Sequence, residues 1–176
     1  MEAQQWESFS TALPSINNIS IKRCILIENP VHIDLHGFTD ASESAYGFVI
    51  YCKSYSDDGT FEMNLICGKS RISPLKRVTV PRWELCAAFL LVRLITKVKS
   101  ALQFESTDIF LWSDSMIVLS WIRKEPFHLK TYIANRVASI QDLTQVQQWR
   151  HVSSENNLAD IISRGMNPEK LIGNKL

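Results

Sequence analysis

The sequence shows no surplus of either charge: 19 Lys and Arg stand against 18 Asp and Glu, a formal +1 at pH 7. Nucleic-acid binders usually declare themselves by a basic excess, so only a local patch could serve that purpose here. Paired cysteines are missing too. Cys24, Cys52, Cys67 and Cys86 lie far apart with no C-x-x-C spacing, which excludes a zinc knuckle and a redox motif and leaves reduced, mostly packed thiols. No apolar run can cross a bilayer, because the longest, LCAAFLLV at 85–92, falls far short of the ~20 residues a spanning helix needs. The opening MEAQQWESFS is polar and acidic, unlike a signal peptide, and neither an internal repeat nor a low-complexity tract follows. These absences lead to the expectation of an intracellular, reducing, cytoplasmic setting with no membrane partner.

What is present suits one folded domain, since 176 residues at 45% hydrophobic content suffice for a full core. Charge is unevenly placed. Lys69, Arg71, Lys76, Arg77, Arg82, Arg93, Lys97 and Lys99 face a single acid, Glu84, within one stretch. That is either a phosphate-facing surface or an ordinary solvated helix and loop.

Residues 1–33 read as a leader: Trp6, Phe9 and Leu13 share a helical face that Pro14 should end, and PSINNIS is turn-rich. The domain proper is expected over 34–166, with a tail at 167–176. DLHGFTD, AYGFVIYCK and FEMNLICGK are rich in aromatic and β-branched residues and predict three antiparallel strands, the last two joined by the turn-forming SYSDDGT. That turn chemistry also disposes of YSDD at 55–58 as a polymerase motif. RWELCAAFLLVRLITKVKSAL predicts a long helix, DIFLWS a fourth strand, and SMIVLSWIRK and HLKTYIANRVASIQDLT two more helices. VQQWRHV predicts a last strand and NNLADIISRG a last helix that Gly165 can terminate. The order β-β-β-α-β-α-α-β-α implies an α/β fold, a mixed five-stranded sheet whose first three strands are antiparallel, with helices on both faces.

Four acids stand in unusual places. Asp40 and Asp114 close predicted strands, where α/β folds gather their sites. Glu84 lies on the apolar stripe of Ala88, Leu91 and Ile95, and Asp160 is surrounded by LADII. A carboxylate on a core-facing stripe is costly unless paired or ligated. Singly, each has a plain structural explanation as a cap or a dipole partner. Together they describe an all-oxygen cluster that selects hard cations, Mg²⁺ or Mn²⁺, and two such ions would support in-line phosphodiester cleavage. His32 and His36 share a strand face about 13 Å apart, too far to share an ion, and are read as structural. Trp83 and Trp112, beside apolar runs, are read as core.

At these residues the sequence resembles the ribonuclease H family, and more closely the ribonuclease H region of BEL/Pao-type LTR retrotransposon polyproteins. LHGFTDASESAYG, GKSRISPLKRVTVPRWELCAAFLL, LWSDSMIVLSWI, YIANRVASIQ and WRHVSSENNLADIISRG carry the resemblance over roughly 35–165. It implies a ribonuclease H-like fold and metal-binding catalytic roles for Asp40, Glu84, Asp114 and Asp160. It also implies two Mg²⁺ or Mn²⁺ ions and, as substrate, the RNA strand of an RNA–DNA hybrid. The leader resembles the end of a reverse-transcriptase connection segment, implying reverse transcriptase and integrase domains of a Pol polyprotein as partners, in the cytoplasm and in virus-like particles. Ser115, Arg82, Lys76 and Arg77 are the candidate nucleic-acid contacts. One departure is the loop SSENN, which lacks the histidine many relatives place there, and His151 in the preceding strand does not replace it.

Two competing expectations remain. A non-catalytic module, domesticated or fragmentary, would bind nucleic acid or support a neighbouring polymerase domain without cutting. A transposase or integrase core uses three acids, and the second position of Glu84 disfavours it.

Overall fold

The computed structural model describes residues 2–74, 78–103 and 107–172. Strands β1 (His32–Ala41), β2 (Ala45–Tyr55) and β3 (Phe61–Ile72) form an antiparallel meander, and β4 (Thr107–Ser113) and β5 (Trp149–His151) add in parallel on the other side of β1. The resulting order, β3-β2-β1-β4-β5, is the mixed five-stranded sheet that the sequence predicts. Tyr55 closes β2, and the following turn is fixed by Asp58, whose carboxylate accepts from the Thr60 amide at 2.8 Å and its hydroxyl at 2.7 Å.

The strands separate their residues by parity. On one face Leu35, Phe48, Ile50, Cys52 and Leu111 meet α2 (Val80–Leu102), α3 (Met116–Ile122) and α4 (Thr131–Leu143). Leu85, Ala88, Leu91, Val92 and Ile95 of α2 are fully buried there. Each large aliphatic side chain so buried contributes about 1.5–3 kcal/mol, enough to hold α2 in place with Glu84 at the edge of its apolar stripe. On the opposite face a smaller cluster of Phe38, Val49, Tyr51 and Ala159, joined by Trp112 and Ile162, seats α5 (Asp160–Arg164). Helices therefore cover both faces.

Two predicted elements are shorter than their sequence patterns. Residues 146–148 form a 3₁₀ turn, so β5 has only three residues, and α5 has five because a second 3₁₀ turn, Ser154–Asn156, precedes it. The N-terminal α1 (Glu2–Ala12) does give way at Leu13–Asn18, a 3₁₀ turn with Pro14 in its first positions. The chain then runs beside β2 and β3. The Ile27 amide donates to Ser54 Oγ at 2.9 Å, Asn64 Nδ2 to the Ile25 carbonyl at 3.2 Å, and the Val31 amide to the Tyr55 carbonyl at 2.9 Å. The last described helix, α6 (Pro168–Ile172), packs on the Leu13–Asn18 turn.

Candidate active site

β1 and β4 are parallel neighbours in the register Thr39↔Ser113, so the next residues, Asp40 and Asp114, stand side by side at the carboxyl ends of two central strands. The chain turns sharply after Asp114. Ser113 Oγ accepts from the Ser115 amide at 3.2 Å, and Ser115 Oγ accepts from the Val118 amide at 3.3 Å, capping α3. Asp114 Oδ2 accepts from Ser154 Oγ at 2.8 Å, whereas Asp114 Oδ1 is buried and has no hydrogen-bond partner.

Glu84 enters from the second turn of α2, half-buried, on the side that faces Ser115 and Asp114. Asp160 enters from the first turn of α5 and pairs with Arg164 Nε at 2.7 Å. Asp40 is 4% exposed and accepts from Ser163 Oγ. Burial pushes the Asp40 carboxyl above its usual range, with the Ser163 hydroxyl opposing and the charges of Asp114 and Asp160 adding to the rise. Glu84 is likewise pushed up by burial, with Ser115 opposing and Asp114 and Asp40 adding. The four acids thus form one electrostatic cluster in which Asp40 is the common neighbour.

The cluster depends on how closely α5 approaches the sheet. A Cβ on Gly47 would lie 2.6 Å from Ile162 Cγ2, and one on Gly68 2.9 Å from Ile162 Cδ1. Two glycines on adjacent strands therefore make a seat for Ile162. Asn157, buried, ties the preceding turn to β1: its Nδ2 donates to the Thr39 carbonyl at 3.0 Å while its Oδ1 accepts from the Ala159 amide at 3.1 Å. Ser42 Oγ adds a 2.6 Å bond to the Ser163 carbonyl.

The donor set is all oxygen, its like charges are crowded, and one buried carboxylate oxygen lacks a partner, which fits hard divalent cations. The acids are also tethered by Ser154, Ser163 and Arg164. Among the described residues, the one group of three metal-ligating side chains with donor atoms all within 4.8 Å lies elsewhere, at His32, Asp34 and Asp108.

Of the expected nucleic-acid contacts, Ser115 is buried as the cap of α3, accepting from the Val118 amide, and Arg82 stacks over the Tyr132 ring at 5.4 Å. Lys76 and Arg77 lie outside the described residues. Trp83 is buried and stacked on Tyr46, and Trp112 lies between Phe38 and His36, so both are packing residues. His151 is exposed at the end of β5. Sequence reasoning missed Ser42, Ser154 and Asn157, whose only signal was the density of small polar residues in DASES and SSENN, and Ser163, which had none. It also took Cα spacing as decisive for His32 and His36, although both rings approach the carboxylate between them, at 2.8 Å and 3.9 Å.

Fold and site together define an α/β domain that gathers carboxylates at the ends of two parallel strands. Residues 1–115 match the family of Pao retrotransposon-like RNaseH-like domains, and the chain belongs to that family. The match includes Asp40, Glu84 and Asp114 and ends before Asp160. No curated protein matches the chain. Solved structures similar to it include the N-terminal RNase H domain of rv2228c from Mycobacterium tuberculosis, at 12% identity over 76% of this chain and 91% of that one, TM-score 0.44. LC11-RNase H1, isolated from compost, is similar at 14% identity over 80% and 98%, TM-score 0.48. The Prototype Foamy Virus protease-reverse transcriptase is similar at 13% identity over 82% of this chain and 20% of that one, TM-score 0.44.

Proposed function

We propose that the chain is a divalent-metal-dependent endonuclease that hydrolyses the RNA strand of RNA–DNA hybrids during retrotransposon reverse transcription. The observation that carries this reading is the crowding of Asp40, Glu84, Asp114 and Asp160 at one end of the sheet, with Asp114 Oδ1 buried and unpartnered. Membership of a retrotransposon RNaseH-like family supports it.

In this reading the four acids hold Mg²⁺ or Mn²⁺, two ions, which supply an activated water and charge stabilisation for the departing oxygen. The chain's own contribution is orientation. Ser163 aims Asp40 and Ser154 aims Asp114, while Glu84 is held by the packing of α2. Burial lifts the Asp40 and Glu84 carboxyls above their usual range, so the carboxylate forms that would hold a cation are favoured by rising pH. Hybrid binding rests on shape and backbone contacts, with Arg82, Lys76, Arg77 and Ser115 as the proposed contacts, and weakens with salt. The working partners are reverse transcriptase and integrase domains of a Pol polyprotein, in the cytoplasm and in virus-like particles.

A second reading, a catalytically inactive, domesticated or fragmentary module that binds nucleic acid or supports a polymerase domain, draws on the tethering of Asp160 by Arg164. The deciding experiment is incubation of a labelled RNA–DNA hybrid with the purified chain and Mg²⁺ or Mn²⁺, beside duplex DNA and the Asp114→Asn variant. Cleavage of the RNA strand alone, lost in the variant, is the expected result. Hybrid binding without cleavage selects the second reading, and cleavage undiminished in Asp114→Asn refutes the site.

A further inference from the structure

We propose that His32, Asp34 and Asp108 form a separate site for one divalent transition-metal ion of the zinc class, joining the starts of β1 and β4. The site lies on the sheet face that carries α5 but at the far end of β1. The six-residue step from Asp34 to Asp40 amounts to about 20 Å of strand.

Strand geometry brings the three side chains together. Asp34 and Asp108 are register partners in the parallel β1–β4 pair, so their side chains leave the sheet on one side. His32 precedes Asp34 by one pleat repeat and shares that side. His32 Nε2 lies 2.8 Å from Asp34 Oδ1 and 3.6 Å from Asp108 Oδ2, and all three donor atoms fall within 4.8 Å of one another. Ligands held tetrahedrally at ~2.1 Å from a zinc ion are about 3.4 Å apart, a value those two distances bracket. One imidazole nitrogen with two carboxylate oxygens suits borderline ions, whereas Mg²⁺ prefers an oxygen shell. Three protein ligands leave a fourth position for water or an added ligand.

The surroundings of Asp34 provide the second observation. Tyr55 donates its hydroxyl to Asp34 Oδ2 at 2.8 Å. Trp112 Nε1 donates to His36 Nδ1 at 3.2 Å, which assigns the proton of a neutral His36 ring to Nε2. His36 Nε2 is buried, has no hydrogen-bond partner, and faces the same Asp34 Oδ2 at 3.9 Å. A nearly inaccessible carboxylate thus has one oxygen oriented by Tyr55 and approached by His36, and the other turned to His32, the arrangement that outer partners impose on metal ligands. Asp108, 70% exposed, keeps the site open to solvent and to an arriving ion.

The test uses the whole chain carrying Asp114→Asn, so that failure of the proposed nuclease site and failure of this one remain distinguishable. After removal of metals with a chelator, Zn²⁺ is titrated by calorimetry in millimolar Mg²⁺, and His32 ring resonances are followed by NMR. One Zn²⁺ per chain at micromolar affinity, with the His32 signals shifted, is expected. Adding Asp108→Asn, a surface substitution that spares the fold, should weaken uptake by at least about tenfold, and His32→Gln should do the same. Absence of stoichiometric uptake would reduce the cluster to an ion pair and overturn the proposal. Uptake unaltered by both substitutions, as from binding at cysteines, would overturn it equally.

Discussion

Placing a methyl group on Gly47 tests whether the approach of α5 to the sheet is what completes the carboxylate cluster. In Gly47→Ala the new Cβ would meet the Lys69 carbonyl oxygen at 2.5 Å, Ile162 Cγ2 at 2.6 Å and Ser70 Cα at 2.9 Å. Two of those atoms are backbone of the neighbouring strand, so rotation of a side chain cannot relieve the clash. Overpacking of this kind costs about 1–3 kcal/mol, and the lower chain entropy of the unfolded alanine form returns about 0.4–1 kcal/mol. The net loss of about 1–2 kcal/mol corresponds to a melting temperature lower by roughly 2–8 °C for a chain of this size. Gly68→Ala is the matched control. Its nearest contact is the flexible tip of Ile162 at 2.9 Å, followed by Val49 Cγ1 at 3.2 Å and the Phe48 carbonyl oxygen at 3.3 Å, with no backbone atom under 3 Å, so its cost should be clearly the smaller. Denaturant midpoints of the two variants, with hydrogen exchange of the Ser163 and Gly165 amides that close α5, provide the assay. Gly47→Ala should expose those amides and reduce hybrid cleavage, while Gly68→Ala should do neither. Equal stability and equal α5 protection in both variants would refute the seat.

Asp40→Asn should stabilise the metal-free chain at neutral pH. Because burial and its neighbours raise the Asp40 carboxyl in the folded state, that state binds the proton better than the unfolded chain, and the associated stability is lost as pH rises through the raised value. The gain in melting temperature from Asp40→Asn, measured in chelator, should therefore grow as pH rises through the raised value and vanish below about pH 3.9, the ordinary aspartate value; a pH-independent gain would point to packing instead. Adding Mg²⁺ at pH 7 should raise the melting temperature of the wild type more than that of the variant, and equal shifts would count against a cation among these carboxylates. For the thiols, burial beside Asp34 pushes Cys52 up to about 11, whereas Cys24 is exposed. Iodoacetamide at pH 8 should label Cys24 and spare Cys52 as read by mass spectrometry, and comparable rates would mean that β2 is accessible in the native sheet.

The central strands and α2 were legible because their signals are local and redundant: aromatic and β-branched runs, turn residues between them, and a helical stripe that leads from Glu84 to Ile95. The acids were legible as violations of that pattern, since Glu84 interrupts an apolar stripe and Asp40 and Asp114 end strands. What orients them was not. Ser154, Ser163 and Asn157 are ordinary loop residues until the fold sets them beside Asp114, Asp40 and Thr39. The shortness of β5 and α5 was hidden because the 3₁₀ turns before them, Val146–Gln148 and Ser154–Asn156, carry no local signal that separates them from the neighbouring strand and helix. The grouping of His32, Asp34 and Asp108 requires the β1–β4 register, and no local window of sequence contains it.

The five residues of α5 are far fewer than the ~12–15 at which a helix begins to persist by itself. Its place is kept by Ile162 on its glycine seat, by Ser163 and by Asn157, so the energy needed to detach it is set by those few contacts and not by the stability of the whole domain. Asp40, Glu84 and Asp114 belong to elements that cannot leave without unfolding the sheet. A protease nicking the 153–157 turn, or a binding partner that captures this segment, would remove Asp160 alone. Phe38, Val49 and Tyr51, which Ala159 and Ile162 cover, would be bared on the same sheet face.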